Sequence, residues 1–289
     1  MNPQPPAPTC VRHPNRQTGL ACTRCGRPAC PECLRPASVG QHCVDCLRQD
    51  QRDVAPVRTV AGAPTSTRPT PYVTYVLIAL NVAFYAFTAL QAHNPVDNQR
   101  SSLFLRLVLY PPYVADGEWW RVIGTGFLHY GPFHLLINMF ALFVIGRDGE
   151  LVLGRARFLA VYAVSLLGGS AAVMVFAPES PTAGASGAVY GLFGAITIIL
   201  LRLRQNPTQM LILIGINVFI SISLPGISLW GHLGGLAAGT LATVGILFVP
   251  AWLHAKTQEN ARVIGWVAVG IIAVISVAVI GSAAASLIS

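Results

Sequence analysis

From residue 72 onward the chain is a succession of apolar runs broken by short polar stretches. We read membrane spans over 73–90, 133–151, 158–177, 185–203, 208–224, 229–249 and 263–286. Several approach the ~20 apolar residues a helix needs to cross the hydrocarbon core. A helix satisfies all its backbone polar groups internally, as lipid demands. The expected fold class is therefore an all-α polytopic membrane protein. Only 10% of residues are charged, against about 25% in an ordinary soluble domain. Residues 1–70 are different: polar, and rich in Pro, Arg and Cys. No cleavable signal peptide is expected, because the first apolar run comes only after residue 72.

The net charge of +8 raises the question of nucleic acid. Its distribution answers otherwise, and no nucleic-acid partner is expected. Nine arginines precede the first span, and only Arg100, Arg106 and Arg121 lie between spans one and two. With the N-terminus cytoplasmic, sixteen of the nineteen basic residues fall inside, as the positive-inside rule requires. The bilayer is thus the first partner, with a contribution from anionic lipid.

All seven cysteines lie within the first 46 residues, accompanied by His13 and His42. They read C-x2-H at Cys10 and His13, C-x2-C at Cys22 and Cys25, C-x2-C at Cys30 and Cys33, and H-C-x2-C ending in Cys43 and Cys46. Each pair places two ligands on one tight knuckle, and two pairs complete a tetrahedral zinc site. The expectation is about two structural zinc ions with no open coordination position. We expect Cys10, His13, Cys30 and Cys33 on one ion and Cys22, Cys25, Cys43 and Cys46 on the other, with His42 as an alternative to Cys43. An odd cysteine count and a reducing location argue against disulfides. A segment this short builds little core, so metal would supply the folding energy. The module, residues 1–49, resembles B-box-type zinc fingers, an adaptor fold; that implies holding a cytoplasmic protein partner or the protein's own cytoplasmic face. Residues 50–71, rich in Pro, Thr, Arg and Ala, are expected to be a flexible linker.

Polar residues inside the apolar zone are costly and need a reason. Ser186 and Tyr190 lie four apart within Gly184-Ala-Ser-Gly-Ala-Val-Tyr-Gly191 and so share a helix face. His232 lies in Trp230-Gly-His-Leu-Gly-Gly, and His134 and Asn138 are also spaced four apart. The bland reading of such a serine is a bond to its own backbone or a close helix contact. The proposed topology instead puts His134, Asn138, Ser186 and His232 at similar depth on the outer side. Gly187 with Gly191, and Gly235 with Gly239, form small-xxx-small faces that let two helices close up. That brings a hydroxyl toward an imidazole base, as nucleophilic catalysis needs. No acid is available at this depth, so a Ser–His dyad is the most the residues support. Asn138, His134 and the Ser186 N–H are candidate oxyanion donors. Glu150 is assigned structure only.

The chain resembles the rhomboid intramembrane serine proteases. The resemblance rests on Trp120-Arg121, H-x3-N at His134 and Asn138, G-x-S-G-x-x-Y-G from Gly184 through Ser186 and Tyr190 to Gly191, and H-x2-G-x3-G at His232, Gly235 and Gly239. It implies a six-helix core over 72–250 that cleaves substrate transmembrane helices, with residues 251–289 as an additional C-terminal helix. It makes Ser186 the nucleophile, His232 the general base, and His134 and Asn138 oxyanion donors, with Gly184 and Tyr190 in the same motif. No cofactor is expected for the catalysis. The rival readings are a catalytically silent membrane adaptor recruiting partners through zinc, and a transporter; few intramembrane acids weigh against the latter. The Arg-heavy, Ala/Gly/Val-rich usage points to a bacterial source, in the cell membrane.

Overall fold

The computed structural model describes residues 7–53, 58–63 and 70–288. The chain divides into two compact units, Met1–Val57 and Arg58–Ser289.

The first unit is two β-hairpins and a helix. Strand β1 (Thr9–Cys10) pairs antiparallel with β2 (His13–Gln17), and β3 (Leu34–Pro36) with β4 (Gln41–Cys43). Helix α1 (Val44–Asp53) follows directly. Its buried interior is six cysteines with Ala29 and Leu34, far too little apolar surface to hold a fold unaided.

The linker expected over 50–71 is ordered in part. Residues 50–53 complete α1, where Gln49 donates to the Asp53 carboxylate one turn on at 3.1 Å and Arg24 pairs with Asp50. Thr59 to Ala63 form a tight turn whose Thr59 hydroxyl donates to the Val152 carbonyl at 2.6 Å. Single polar side-chain contacts, to side chains at 50–53 and to backbone at 59–63, accompany this order in place of apolar periodicity. The remaining stretches, 54–57 and 64–69, lie outside the described residues.

In the second unit, α2 (Tyr72–Gln91) starts against Glu150 rather than on a side-chain cap of its own. The Glu150 carboxylate accepts from the Val73 N–H at 3.0 Å and from both the N–H and hydroxyl of Thr74 at 2.8 Å. An acid at a helix N-terminus satisfies orphan donors and the positive end of the dipole. The span expected at 133–151 is α6 (Gly131–Ala141), a π-helical turn at Leu142–Gly146 and α7 (Arg147–Leu153).

Between α2 and α6 lies a folded segment: α3 (Ser102–Leu107), α4 (Pro111–Ala115) and α5 (Arg121–Gly124). It is organised by Arg121, 4% exposed. Its guanidinium donates to the Leu105 and Val108 carbonyls at 2.7 and 2.9 Å, meets Glu118 at 2.5 Å and lies 4.6 Å from the Tyr113 ring centre. The half-exposed Trp120 donates its indole N–H to Arg106 O at 3.1 Å.

The rest of the unit is α8 (Arg155–Phe176), α9 (Ser186–Arg202), α10 (Thr208–Ser223), α11 (Leu229–Leu247), the short α12 (Val249–Trp252) and α13 (Gln258–Ile288). Helices α2, α8, α11 and α13 are each long and apolar enough to cross a membrane; α9 and α10 are shorter apolar helices. With the bent segment through α6 and α7, this is a six-helix core plus a C-terminal helix, with a small Cys/His-rich N-terminal domain. Helix α13 packs on α8 and α11, bringing Ala268 against Gly245. At the centre, α8, α9 and α11 meet along glycines. A Cβ on Gly169 would fall 2.7 Å from the Gly231 carbonyl, and one on Gly191 2.8 Å from the Gly235 carbonyl. Backbones this close require small residues at every crossing.

Candidate active site

The glycine seam determines which polar side chains meet. Ser186 opens α9, so its N–H falls among the first four that have no partner inside a helix. His232 lies in the first turn of α11, which is capped by Ser228, whose hydroxyl accepts from the Gly231 N–H at 3.2 Å. Across the seam, His232 Nε2 lies 2.8 Å from Ser186 Oγ, and the imidazole is only 7% exposed. Tyr190, one turn along α9, stacks on that ring at 4.0 Å between centroids and 13° between planes. The ring is thus clamped between a hydroxyl at its edge and an aromatic face.

Gly184 precedes this helix with φ of +139°, a region that side chains rarely adopt. A Cβ there would sit 3.0 Å from His134 Cε1, 3.1 Å from Nε2 and 3.4 Å from Ser186 Oγ. Gly184 therefore keeps open the space where His134 and Ser186 converge. The Tyr130 N–H donates to His134 Nδ1 at 3.2 Å. That leaves Nε2 as the protonated nitrogen of a neutral ring, a donor beside the serine. Asn138 is buried one turn deeper, and its amide donates to the His134 carbonyl at 3.0 Å. A cavity of about 20 Å³, lined in part by Thr125, Gly184, Ser186 and Ser228, is large enough for one water.

One contact escaped the sequence reading. Ser221 of α10 reaches His232 Nδ1 at 2.8 Å and the Tyr190 hydroxyl at 3.1 Å. A serine in an apolar helix four residues after Asn217 looks like an ordinary backbone-bonded serine. Nothing in its spacing ties it to a histidine eleven residues on.

In the N-terminal unit, the eight predicted ligands form two groups, Cys10–His13–Cys30–Cys33 and Cys22–Cys25–Cys43–Cys46, either of which could hold a metal ion. Zn–S bonds of ~2.3 Å and Zn–N bonds of ~2.1 Å at the tetrahedral angle put neighbouring sulfurs ~3.8 Å apart and sulfur–nitrogen pairs ~3.6 Å apart. The Cys22–Cys46 and Cys25–Cys43 sulfurs are 3.8 Å apart. His13 Nδ1 lies 3.4 Å from Cys30 and Cys33 and 3.8 Å from Cys10. Disulfides would need ~2.05 Å, and all seven cysteines are free. His42 stands outside the second group, its ring 3.9 Å from the Asp50 carboxylate. Burial pushes the Cys33 thiol up to about 11 and the Cys46 thiol up to about 12. Only an added cation would make such thiols ionise at neutral pH. The donor set and its spacing fit zinc.

The Rhomboid domain family matches residues 116–250 of the chain. The rhomboid-family protein YdcA of Bacillus subtilis is 38% identical over 184 residues, 61% of this chain and 89% of YdcA. The chain belongs to the rhomboid family. It is also 32% identical over 205 residues to the rhomboid protease GluP of Bacillus subtilis, covering 69% of this chain and 40% of GluP. RHOMBOID-like protein 4 of Arabidopsis thaliana is 33% identical over 159 residues, 52% of this chain and 40% of that protein. This rhomboid therefore spans well under half the length of two of these relatives. These relatives come from both a bacterium and a plant. The matched region contains Ser186, His232, His134 and Asn138 and excludes the Cys/His groups.

Proposed function

We propose that this rhomboid is a serine endopeptidase that cleaves transmembrane segments of other membrane proteins. The single observation that carries the reading is the 2.8 Å contact between Ser186 Oγ and His232 Nε2 in a buried, water-poor setting. His232 takes the Ser186 proton as Oγ attacks the scissile carbonyl. The tetrahedral oxyanion faces the His134 Nε2–H and the Ser186 N–H, with Asn138 bracing His134 from the turn below and supplying its second amide hydrogen. Collapse breaks the C–N bond, and His232 returns the proton to the leaving amine. Water, activated by the same imidazole, then hydrolyses the acyl-serine and regenerates the hydroxyl. By the positive-inside rule the N-terminus is cytoplasmic and this chemistry sits toward the outer leaflet. The two Cys/His groups hold structural zinc, fully coordinated by protein. They build a B-box-like cytoplasmic module that holds a protein partner.

The test is cleavage of a helical model substrate by purified protein in detergent, together with fluorophosphonate labelling. Wild type should cut and label, and Ser186→Ala should do neither. A wild-type chain that neither cuts nor labels would favour the silent adaptor, the reading that the Cys/His unit supports.

A further inference from the structure

The dyad has a third polar group behind it, and its protons can be counted. Ser221 is the one side chain of α10 that is buried, at 5% exposure. Its oxygen has three neighbours: the Asn217 carbonyl at 2.7 Å, His232 Nδ1 at 2.8 Å and the Tyr190 hydroxyl at 3.1 Å. A serine hydroxyl has one proton and two acceptor positions. A carbonyl can only accept, so the Ser221 proton goes to Asn217 O. Both acceptor positions are then filled from outside, one by the Tyr190 O–H and one by His232. Nδ1 must therefore carry the imidazole proton. A neutral imidazole has a single N–H, so Nε2 presents its lone pair to Ser186 Oγ, the tautomer that a general base needs.

We propose that Ser221 is a positioning residue that fixes the tautomer and plane of His232 from a neighbouring helix. The proposal rests on the serine-endopeptidase reading of the site. A carboxylate usually stands in this place, and a catalytic histidine held in the wrong tautomer loses most of its rate. Here a neutral hydroxyl does the orienting, made directional by the Asn217 carbonyl that takes its proton. Its oxygen also remains a good acceptor when His232 becomes an imidazolium, because Nδ1–H stays bonded throughout the proton transfer. Tyr190 serves the same ring twice, stacking on its face and filling the last acceptor position of Ser221.

The experiment uses the full chain in detergent, with wild type, Ser221→Ala and Ser221→Thr compared by steady-state cleavage of a helical substrate and by ¹⁵N NMR of His232. Ser221→Ala should lower kcat about tenfold to hundredfold, with KM changed less than about twofold because no substrate contact is lost. Ser221→Thr keeps the hydroxyl and its bond to the carbonyl four residues back, and should stay within a few-fold of wild type. The His232 signals should show the proton on Nδ1 in wild type and Ser221→Thr, and shared between the Nδ1–H and Nε2–H tautomers of the neutral ring in Ser221→Ala. Wild-type kcat with an unchanged tautomer in Ser221→Ala would overturn the proposal. Equal losses in both variants would assign Ser221 to packing and overturn it as well. If wild type itself neither cleaves nor labels at Ser186, the protease reading fails instead; the NMR comparison still reads whether Ser221 orients the ring.

Discussion

Gly235 faces Gly187 so closely that the Gly187 carbonyl occupies the place where a Cβ on Gly235 would stand. This contact joins α9 to α11 between Ser186 and His232 on one side and Gly191 with Gly239 on the other. The distance between the hydroxyl and the imidazole is thus set by backbone, not by the two side chains.

Gly235→Ala should therefore push the helices apart. Overpacking of this kind costs roughly 1–3 kcal/mol, and cleavage should fall further than stability, since the Ser186–His232 contact is lost. Gly215 on α10 has nothing within 4 Å of the corresponding position. Gly215→Ala should cut normally and gain up to about 1 kcal/mol from helix propensity. Thermal unfolding and cleavage of the two variants, side by side, check both statements.

Glu150 is 2% exposed and accepts three hydrogen bonds from Val73 and Thr74. Glu150→Gln keeps one acceptor oxygen and turns an NH2 toward backbone donors. Leaving a buried donor unsatisfied costs about 1–3 kcal/mol. Thermal stability should drop by that amount, while fluorophosphonate labelling of Ser186 per folded molecule stays at the wild-type level. Loss of labelling without loss of stability would contradict the capping role.

Arg121 donates to two carbonyls and to Glu118 and lies over the Tyr113 ring. A lysine ammonium cannot match that planar fork. Arg121→Lys should destabilise by about 2–3 kcal/mol, read as a lower unfolding temperature. Limited proteolysis should then open the α3–α5 segment before the core.

Metal analysis of the purified full chain should return about two zinc ions. Cys25→Ala should lower the count, and a strong chelator should make residues 7–53 protease-sensitive. A metal-free chain with that unit still protected would remove zinc from its fold.

Much of this was legible in the residues. The seven apolar runs mark the helices to within a few positions because lipid-buried backbone leaves helices little freedom. Ser186 and His232 announced themselves as polar groups that an apolar run does not otherwise tolerate. The Cys/His spacing gave the knuckles. Hidden were features that depend on which elements become neighbours. Ser221 carries no mark distinguishing it from other helix serines until α10 lies beside α11. The π-helical turn at Leu142–Gly146 interrupts an apolar run that reads as one straight span. Asn138 shares a face with His134, as four-residue spacing predicts, yet its amide is turned to the His134 carbonyl. The order within 50–53 and 58–63 comes from single side-chain bonds that composition does not register.

The two Cys/His groups alternate along the chain: Cys10 and His13, then Cys22 and Cys25 of the other group, then back to Cys30 and Cys33, then away to Cys43 and Cys46. A metal closing either group would therefore enclose a knuckle of the other. Opening one group slackens the segment on which the other depends, so a half-dismantled form has little to hold it together. With metal on both groups, the N-terminal unit should come apart as a knot with a single release, either whole or undone.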